Sequence, residues 1–254
     1  MSAPSQRAIK LFDLRSNLSP QAWSLHAWRT RLVLNYKKLP YTTEWVAMPD
    51  LRTVIPAVGG PPTQENDPKY SVPVIIDAIA DPPVVLSDST IIADYLEKTY
   101  PEPTIYPHGK ESQMRYTAAI VDHVIMQMVF LVVPTAPKIL SERDAEYFIA
   151  TRKLVFGFDV QDIVARGPEE EAGWWQGLED GLSRLSALTD EIDHGERWLF
   201  GTAQGPGYAD FVLVAALYAF KVAVPEGSWE RIKRLNGGKW GKHLDNAREF
   251  MEVL

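Results

Sequence analysis

The serine that precedes the first helical pattern of the chain is the residue best placed to do chemistry. Ser24 opens residues 24–34, in which apolar side chains fall near helical spacing. A serine at a helix start ordinarily caps the free backbone N–H groups with its oxygen. The same N–H groups and the helix dipole also favour an anion, so Ser24 could instead donate its hydroxyl to a bound thiolate and keep it ionised. Spacing alone leaves both interpretations open.

Two other local patterns offer groups for an extended, zwitterionic ligand. Pro73 begins a short apolar run, and because proline has no N–H, an edge or strand-start position explains it. A cis peptide would instead turn the backbone of Val72 outward to pair with a ligand. Asp88 and Ser89 stand before another helical pattern, where capping is again the ordinary explanation. The alternative is a carboxylate that binds an ammonium, beside N–H groups that bind a carboxyl.

The elements that would position these residues are strands and helices in alternation. Alternating apolar and polar side chains on either side of the first helix predict a βαβ unit. The loop-rich residues 47–70 contain one short helical pattern at 50–58, and two further apolar runs predict a hairpin. The strand patterns lie at residues 9–14, 41–46, 72–77 and 84–86.

The rest of the chain predicts helices only. A proline-rich stretch at 101–110 is typical of a linker. We therefore expect an α/β domain at 1–100 and an all-helical domain at 111–254. Helical patterns run through residues 111–133, 142–166, 169–193, 209–223, 229–235 and 243–251.

Composition narrows the function classes. The chain has 254 residues, a formal net charge of −7 and no cysteine. The charge argues against nucleic acid and anionic membranes as partners, and the lack of cysteine excludes disulfides, thiolate metal sites and a cysteine nucleophile. The apolar run at 118–134 contains Asp122, His123 and Gln127, which favours a buried helix over a membrane span. Because residues 1–8 are polar, we expect a soluble, cytoplasmic protein.

Neither a metal site nor a serine-hydrolase triad is indicated. The five histidines are far apart, without a two-His helix spacing or a nearby carboxylate pattern, so we expect no metal. No Gly-x-Ser-x-Gly elbow surrounds Ser19 or Ser24, and we interpret His26 as a helix-turn or pocket-wall residue. The histidines are His26, His108, His123, His194 and His243.

The order of these elements and the residues around Ser24 resemble a glutathione transferase over nearly the whole chain. The pattern Ser-x-x-x-x-Arg-Thr-Arg-Leu-Val-Leu at 24–34 is similar to the omega class, in which a cysteine usually begins the segment. The Trp-Arg-Thr triplet at 28–30 also resembles bacterial and fungal β-etherase-like transferases, although Leu25 stands where proline is common. The resemblance implies a thioredoxin-like glutathione-binding domain at 1–100, followed by a helical domain that contributes a hydrophobic co-substrate site.

The resemblance also assigns roles to individual residues. It implies that Ser24 stabilises the sulfur of glutathione as thiolate. It implies that the peptide bond before Pro73 is cis, so that the backbone of Val72 pairs with the cysteinyl moiety. Asp88 and Ser89 would hold the γ-glutamyl end. The loop at 47–70 departs from the lysine-containing omega pattern, so the residues that meet the glycyl end stay unassigned.

Two positions depart from the family pattern. Ser19 has the same spacing to a tryptophan as Ser24, but it lacks the Arg-Thr-Arg that follows, so we rank Ser24 first. Gly207 stands where the buried capping motif of the helical domain normally has serine or threonine. Only the Asp210 half of that motif carries over, and we interpret Asp210 as a structural residue.

We therefore expect a serine-type glutathione transferase that presents glutathione as thiolate to hydrophobic, aromatic electrophiles, as in detoxification. Glutathione would be a co-substrate, and the resemblance implies a homodimer. Reduction of disulfides through a protein thiol is not expected, because the chain has none. One alternative is a ligand carrier, a ligandin, that binds aromatic or polyphenolic compounds in the inter-domain cleft. Another is a regulatory protein that has lost glutathione binding.

The co-substrate pocket is assigned from side-chain type. Leu25 and His26 follow the candidate catalytic serine, while Met126 and Phe130 lie on the first long helix of the second half. Methionine adapts to ligands of varied shape, which makes such residues suited to a hydrophobic pocket. Core packing is the alternative for each residue taken singly.

Overall fold

The computed structural model of the chain describes residues 7–157, 159–164, 167–192 and 197–254. Its four strands form one sheet in the order β2–β1–β3–β4. β1 is parallel to β2 and antiparallel to β3, which is in turn antiparallel to β4. The predicted βαβ unit and hairpin are thus joined through β1 and β3. The strands are β1 Ile9–Leu14, β2 Tyr41–Val46, β3 Val74–Asp77 and β4 Val84–Ser87.

Three helices accompany the sheet. They are α1 Leu25–Tyr36, α2 Leu51–Ala57 and α3 Ser89–Thr99. α1 and α3 contact each other and the sheet. The short helix predicted at 50–58 is confirmed as α2, which follows a 3₁₀ turn at Met48–Asp50. This half of the chain has the thioredoxin-like architecture that the resemblance implied.

From Lys110 onward the described residues form a helical domain. A predicted single helix at 142–166 is interrupted at Gly157, which takes the left-handed conformation with φ of 76° and caps α6. The helix predicted at 243–251 instead begins at Lys239 and gives way to a 3₁₀ turn at Arg248–Phe250. The helices are α4 Lys110–Ile120, α5 Met126–Val132, α6 Glu142–Phe156, α7 Val160–Val164, α8 Pro168–Asp190, α9 Tyr208–Ala223, α10 Glu226–Arg234 and α11 Lys239–Asn246.

A π-helical turn at Val121–Ile125 joins α4 to α5. Gly181 of α8 packs against it so closely that an added Cβ would lie 1.7 Å from the carbonyl oxygen of His123. By length and composition alone, Lys110–Val132 could cross a membrane. Its side chains Ile120 and Val124 belong to the main buried core, which accounts for an apolar face in a helical bundle.

α9 is the central helix, and its first turn is held by a buried carboxylate. Asp210 accepts backbone N–H groups from Leu199 at 2.9 Å, from Phe200 at 3.1 Å and from Gly207 at 2.8 Å. Burial raises the pKa of Asp210 to about 7, against the opposing effect of these three donors. All of these contacts lie within the fold, in line with the structural role predicted for Asp210.

The capping hydroxyl that Gly207 lacks is replaced by a side chain from α4. Gln113 is fully buried, and its Oε1 accepts the N–H of Ala209 at 3.0 Å. Its Nε2 donates to the carbonyl oxygens of Phe200 at 2.7 Å and Pro107 at 3.0 Å. A Cβ added at Gly207 would lie 2.5 Å from Oε1 and 2.6 Å from Nε2 of Gln113. A side chain at 207 therefore requires the carboxamide of Gln113, with its three hydrogen bonds, to move.

We expect the variant Gly207→Ser to lower the free energy of unfolding by about 1–3 kcal/mol, because the new side chain overpacks against Gln113. Gln113→Ala should also destabilise, by about 1–3 kcal/mol, since it leaves buried carbonyl and N–H groups unpaired. In the double variant the serine hydroxyl can take over the cap. Urea unfolding of the natural protein, the two single variants and the double variant measures this. The double variant should lose less unfolding free energy than the sum of the two single losses, and strict additivity would contradict this account.

Candidate active site

Ser24 is the N-cap residue of α1. It takes an extended conformation with φ of −65° and ψ of 117°, and its Oγ accepts the N–H of Ala27 at 3.4 Å. The residue is 8% exposed. Capping uses a lone pair of the oxygen, whereas stabilising a thiolate uses the hydroxyl hydrogen, which Ser24 donates to none of the described residues. The two interpretations of Ser24 are therefore compatible.

Ser19 has a different environment. It lies in the loop before α1, where it is exposed and precedes the cis peptide bond to Pro20. It caps no helix, so it has none of the free N–H groups that would help to hold an anion. The structure thus favours Ser24 over its rival.

The backbone of Val72 is available for pairing. The Val72–Pro73 peptide bond is cis, and Val72 itself is buried. Its side chain belongs to the same apolar cluster as Trp23 and Ala27, which flank Ser24. Within the described residues, neither its N–H nor its carbonyl oxygen makes a hydrogen bond. An extended ligand could take both.

Asp88 is the N-cap residue of α3 and has an uncommon backbone conformation with φ of 80°. Its exposed carboxylate accepts the N–H groups of Thr90 at 2.7 Å and Ile91 at 3.1 Å. Two of the backbone N–H groups that were predicted to bind a ligand carboxyl are therefore already bonded to Asp88 itself. Ser89 is buried, and its carbonyl oxygen accepts the Tyr208 hydroxyl at 3.3 Å. A non-glycine residue at positive φ is a strain that often marks a functional site.

Sheet register brings these groups to one end of the domain. Val74 pairs with Ser87 across antiparallel strands, so the segments that carry Val72 and Asp88 leave the sheet at the same end. β1 is antiparallel to β3, with Phe12 opposite Val74, so its C-terminal end also lies there. The loop that leaves this end of β1 leads directly to Ser24 at the mouth of α1.

We expect Asp88→Asn to weaken glutathione binding about 10-fold while leaving the free energy of unfolding nearly unchanged. Asparagine caps a helix as well as aspartate and tolerates positive φ, but it cannot pair with an ammonium as a charge. Calorimetric titration with glutathione, beside a thermal unfolding curve, would measure both effects. Equal loss of stability and affinity would instead indicate that Asp88 only builds the helix end.

The four predicted pocket residues are spread over two helices. Leu25 is half-buried against the main core, while His26 is exposed. Met126 is 52% exposed, and Phe130 stacks on Trp174 with ring centroids 5.4 Å apart. Phe130 packs against the cluster that contains Trp23 and Val72, which places it on the Ser24 side of the helical domain. The co-substrate role of all four stays a prediction.

Two cavities lie away from this site. One of about 360 Å³ lies among α9, α10 and α11, and one of about 350 Å³ lies between α11 and the segments around Asp190 and Arg197. None of the predicted site residues lines either of them. Over the described ranges, no cluster of three or more histidine, aspartate and glutamate side chains could hold a metal ion. His194, one of the five histidines considered above, lies outside the described residues.

One charged residue of α1 was not identified from the sequence as a site residue. Arg29 lies on α1 and is only 6% exposed. Burial lowers its pKa, and the neighbouring Tyr208 and Asp88 oppose that change. The pKa of His26 is lowered by the protein atoms around its ring and by the charge of Arg29, although the residue is exposed. Position 29 was visible only as part of the Arg-Thr-Arg pattern, in which burial cannot be seen.

A thioredoxin-like domain with a free strand-end backbone, a capped helix mouth and an attached helical bundle defines the class of glutathione transferases. Family models agree over both halves. The model "Glutathione S-transferase, N-terminal domain" matches residues 23–99, and the model "Glutathione S-transferase, C-terminal domain" matches residues 113–250. The chain belongs to the glutathione S-transferase family.

Three fungal proteins are among the relatives of the chain. The glutathione S-transferase-like protein ustS of Aspergillus flavus is 30% identical over 232 residues, which span 85% of this chain and 82% of that protein. A glutathione S-transferase of Ceriporiopsis subvermispora, solved in complex with glutathione, superposes with a TM-score of 0.87 at 27% identity, covering 97% of this chain and 99% of that one. Glutathione transferase GSTFuA3 of Phanerochaete chrysosporium gives a TM-score of 0.85 at 33% identity over 98% and 100% of the two chains.

Proposed function

We propose that this protein is a serine-type glutathione transferase that activates glutathione as thiolate for attack on hydrophobic, aromatic electrophiles. The observation that carries the proposal is the position of Ser24. Its oxygen caps α1 while its hydroxyl hydrogen remains available, at the sheet end where Val72 and Asp88 also lie. The complex of the Ceriporiopsis relative with glutathione supports the same ligand here.

Glutathione would lie along the sheet end in an extended conformation. The backbone of Val72 would pair with its cysteinyl residue, as in the addition of a strand to a sheet edge. Asp88 and Ser89 would hold the γ-glutamyl group. This arrangement directs the thiol towards Ser24 at the mouth of α1.

The energy required of the site is small. An ordinary thiol has a pKa of about 8.5, so lowering it by about two units requires about 2.7 kcal/mol of selective stabilisation of the anion. One hydroxyl hydrogen bond to a charged group contributes about 1.5–3 kcal/mol, and a helix N-terminus adds about 0.3–1 kcal/mol. The contributions of one serine and one helix start are therefore of the size required.

The reaction is a nucleophilic attack by sulfur. The thiol proton leaves to solvent, the thiolate donates an electron pair to the electrophilic carbon, and a sulfur–carbon bond forms as the leaving group departs with its bonding electrons. The protein contributes no sulfur of its own, because the chain has no cysteine. Mixed disulfides between the protein and glutathione are therefore excluded.

The proposal is tested by three measurements on the natural protein. Calorimetric titration should show saturable glutathione binding, and incubation with glutathione and an aromatic electrophile such as a chlorinated dinitrobenzene should give the conjugate, detected by mass spectrometry. Tight displacement of an aromatic dye without turnover would instead identify the ligand carrier. Failure to bind glutathione at all would overturn the proposal.

A further inference from the structure

The loop between β1 and Ser24, at residues 15–23, contains no strand or helix of its own. Its first residue contacts the helical domain, because Arg15 donates from Nε to Oδ2 of Asp144 at 3.0 Å. Two residues later, Asn17 donates its backbone N–H and its side-chain amide to two carbonyl oxygens just before α6, each at 2.8 Å. The start of the loop is therefore fixed by the helical domain.

The last residue of the loop contacts the same helix. The indole ring of Trp23 packs against the ring of Phe148, with centroids 6.3 Å apart and planes inclined by 58°. Asp144 and Phe148 are about one turn apart on α6, so they lie on the same face of the helix. Trp23 immediately precedes Ser24. One face of α6 thus holds both ends of the segment that presents the serine.

The other carboxylate oxygen of Asp144 holds a second loop of the first domain. Oδ1 accepts the backbone N–H of Met48 at 2.7 Å, in the 3₁₀ turn that leads to α2. The Ser141 hydroxyl donates to Oδ2 at 2.6 Å, and Asp144 is only 1% exposed. A buried carboxylate with a cation and two neutral donors is held in one orientation. Because β1 and β2 are parallel, both loops leave the sheet at the end where Ser24 lies.

We propose that Asp144 is a positioning residue for thiolate formation, through which the helical domain holds Ser24 in place for the sulfur of glutathione. The inference rests on the proposed function and deepens it. A hydrogen bond weakens steeply as its distance and angle depart from the optimum, so a small movement of Trp23 and Ser24 reduces the stabilisation of the anion. Asp144 acts through the loop and not on the sulfur.

The test measures the pKa of the bound glutathione thiol, from the ultraviolet absorbance of the thiolate, beside kcat at saturating glutathione. Asp144→Asn leaves one acceptor oxygen where the carboxylate has two, so Arg15 or Met48 loses its bond. We expect the thiol pKa to rise by about half a unit or more, and kcat at neutral pH to fall about threefold or more, because the rate follows the thiolate fraction.

A second variant breaks the same contact from the side of the loop. Arg15→Met replaces a side chain that is 41% exposed, so it tests the inference even if Asp144→Asn does not fold. The thiol pKa should rise in this variant too. Combining Arg15→Met with Asp144→Asn should raise the pKa by less than the sum of the two single effects, since both remove one contact.

Two controls distinguish positioning from a loss of stability. Asp50→Asn weakens an exposed ion pair with Arg143, which also joins the turn before α2 to α6. Gln113→Ala destabilises the helical domain at the start of α9, where Gln113 caps Ala209. Both variants should leave the thiol pKa unchanged, and thermal unfolding of every protein shows how much stability each has lost.

The possible results separate this inference from the proposed function. If Asp144→Asn or Arg15→Met folds and leaves the thiol pKa unchanged, Asp144 is only structural and the inference is wrong. If Gln113→Ala raises the pKa as much as Asp144→Asn does, the pKa follows stability, and the inference is also wrong. If the natural protein does not bind glutathione, or if Ser24→Ala leaves the thiol pKa unchanged, the proposed function fails and the inference falls with it.

Discussion

Replacement of Ser24 by alanine is expected to reduce the rate of glutathione conjugation about 10- to 100-fold at neutral pH, the loss that corresponds to one hydrogen bond to a thiolate. The physical reason is a rise of about one to two units in the pKa of the bound thiol. The rate follows the thiolate fraction, so the midpoint of the pH–rate profile should move to higher pH. At pH values above both thiol pKa values, the rates of the two proteins should converge.

The matched control is Ser19→Ala, which removes an exposed hydroxyl from the loop before α1 and should leave the profile unchanged. Ser24→Thr keeps the hydroxyl and should keep most of the activity. Ser24→Ala also removes a helix cap, with a cost of about 1 kcal/mol of stability, so unfolding curves must accompany the kinetics. A pH–rate profile that does not move would refute the assignment of Ser24.

The architecture was predictable because its signals are local. Period-two alternation, helical spacing and the proline-rich stretch at 101–110 depend on neighbours in sequence, and they located the strands and nearly all helices. Ser24 was predictable for the same reason, since a cap is visible from the residue and the pattern that follows it. Helix ends were predicted less accurately where a single residue adopts an unusual conformation, as at Gly157, whose left-handed backbone ends α6.

The rest of the fold and of the site depends on contacts between distant segments. Gln113 caps Ala209, 96 positions later in the chain, and no local pattern indicates that a glutamine replaces the missing hydroxyl at 207. The burial of Arg29 arises only when α1 packs against α3 and α9. The capping of α3 by the Asp88 side chain was foreseen, but its consequence for a ligand carboxylate follows only from the observed bonds to Thr90 and Ile91.

The helix that carries Ser24 and Arg29 is anchored by a second arginine, and its removal has the largest expected effect on stability. Arg31 is fully buried, with Nη2 donating to the Asp13 carboxylate at 2.7 Å and Nη1 donating to the Thr43 hydroxyl at 2.9 Å. Its guanidinium lies 5.5 Å from the ring centroids of Trp28 and Trp45. α1 is thus tied to β1 and β2 through one side chain.

We expect Arg31→Met to lower the free energy of unfolding by about 3–5 kcal/mol, because it leaves the fully buried carboxylate of Asp13 without its counter-charge. Burial raises the pKa of Asp13 and Arg31 opposes the rise, so the pKa in the variant should be higher still. The folded variant then binds more protons than its unfolded chain above the ordinary aspartate range. Its stability should therefore fall as the pH rises from about 4 towards the raised pKa.

The control distinguishes two causes of the lost stability, the unpaired buried charge of Asp13 and the lost packing of the Arg31 side chain. Arg31→Met combined with Asp13→Asn removes both charges. The double variant should recover about half or more of the lost unfolding free energy, since burying a neutral amide costs less than burying a carboxylate. Urea unfolding of the four proteins at pH 5 and pH 8 measures the coupling. If the double variant were no more stable than Arg31→Met at either pH, the anchor would be the apolar contacts of Arg31 with the two tryptophans and not its charge. Because Ser24 begins the same helix, recovery of stability in the double variant should bring recovery of conjugation with it.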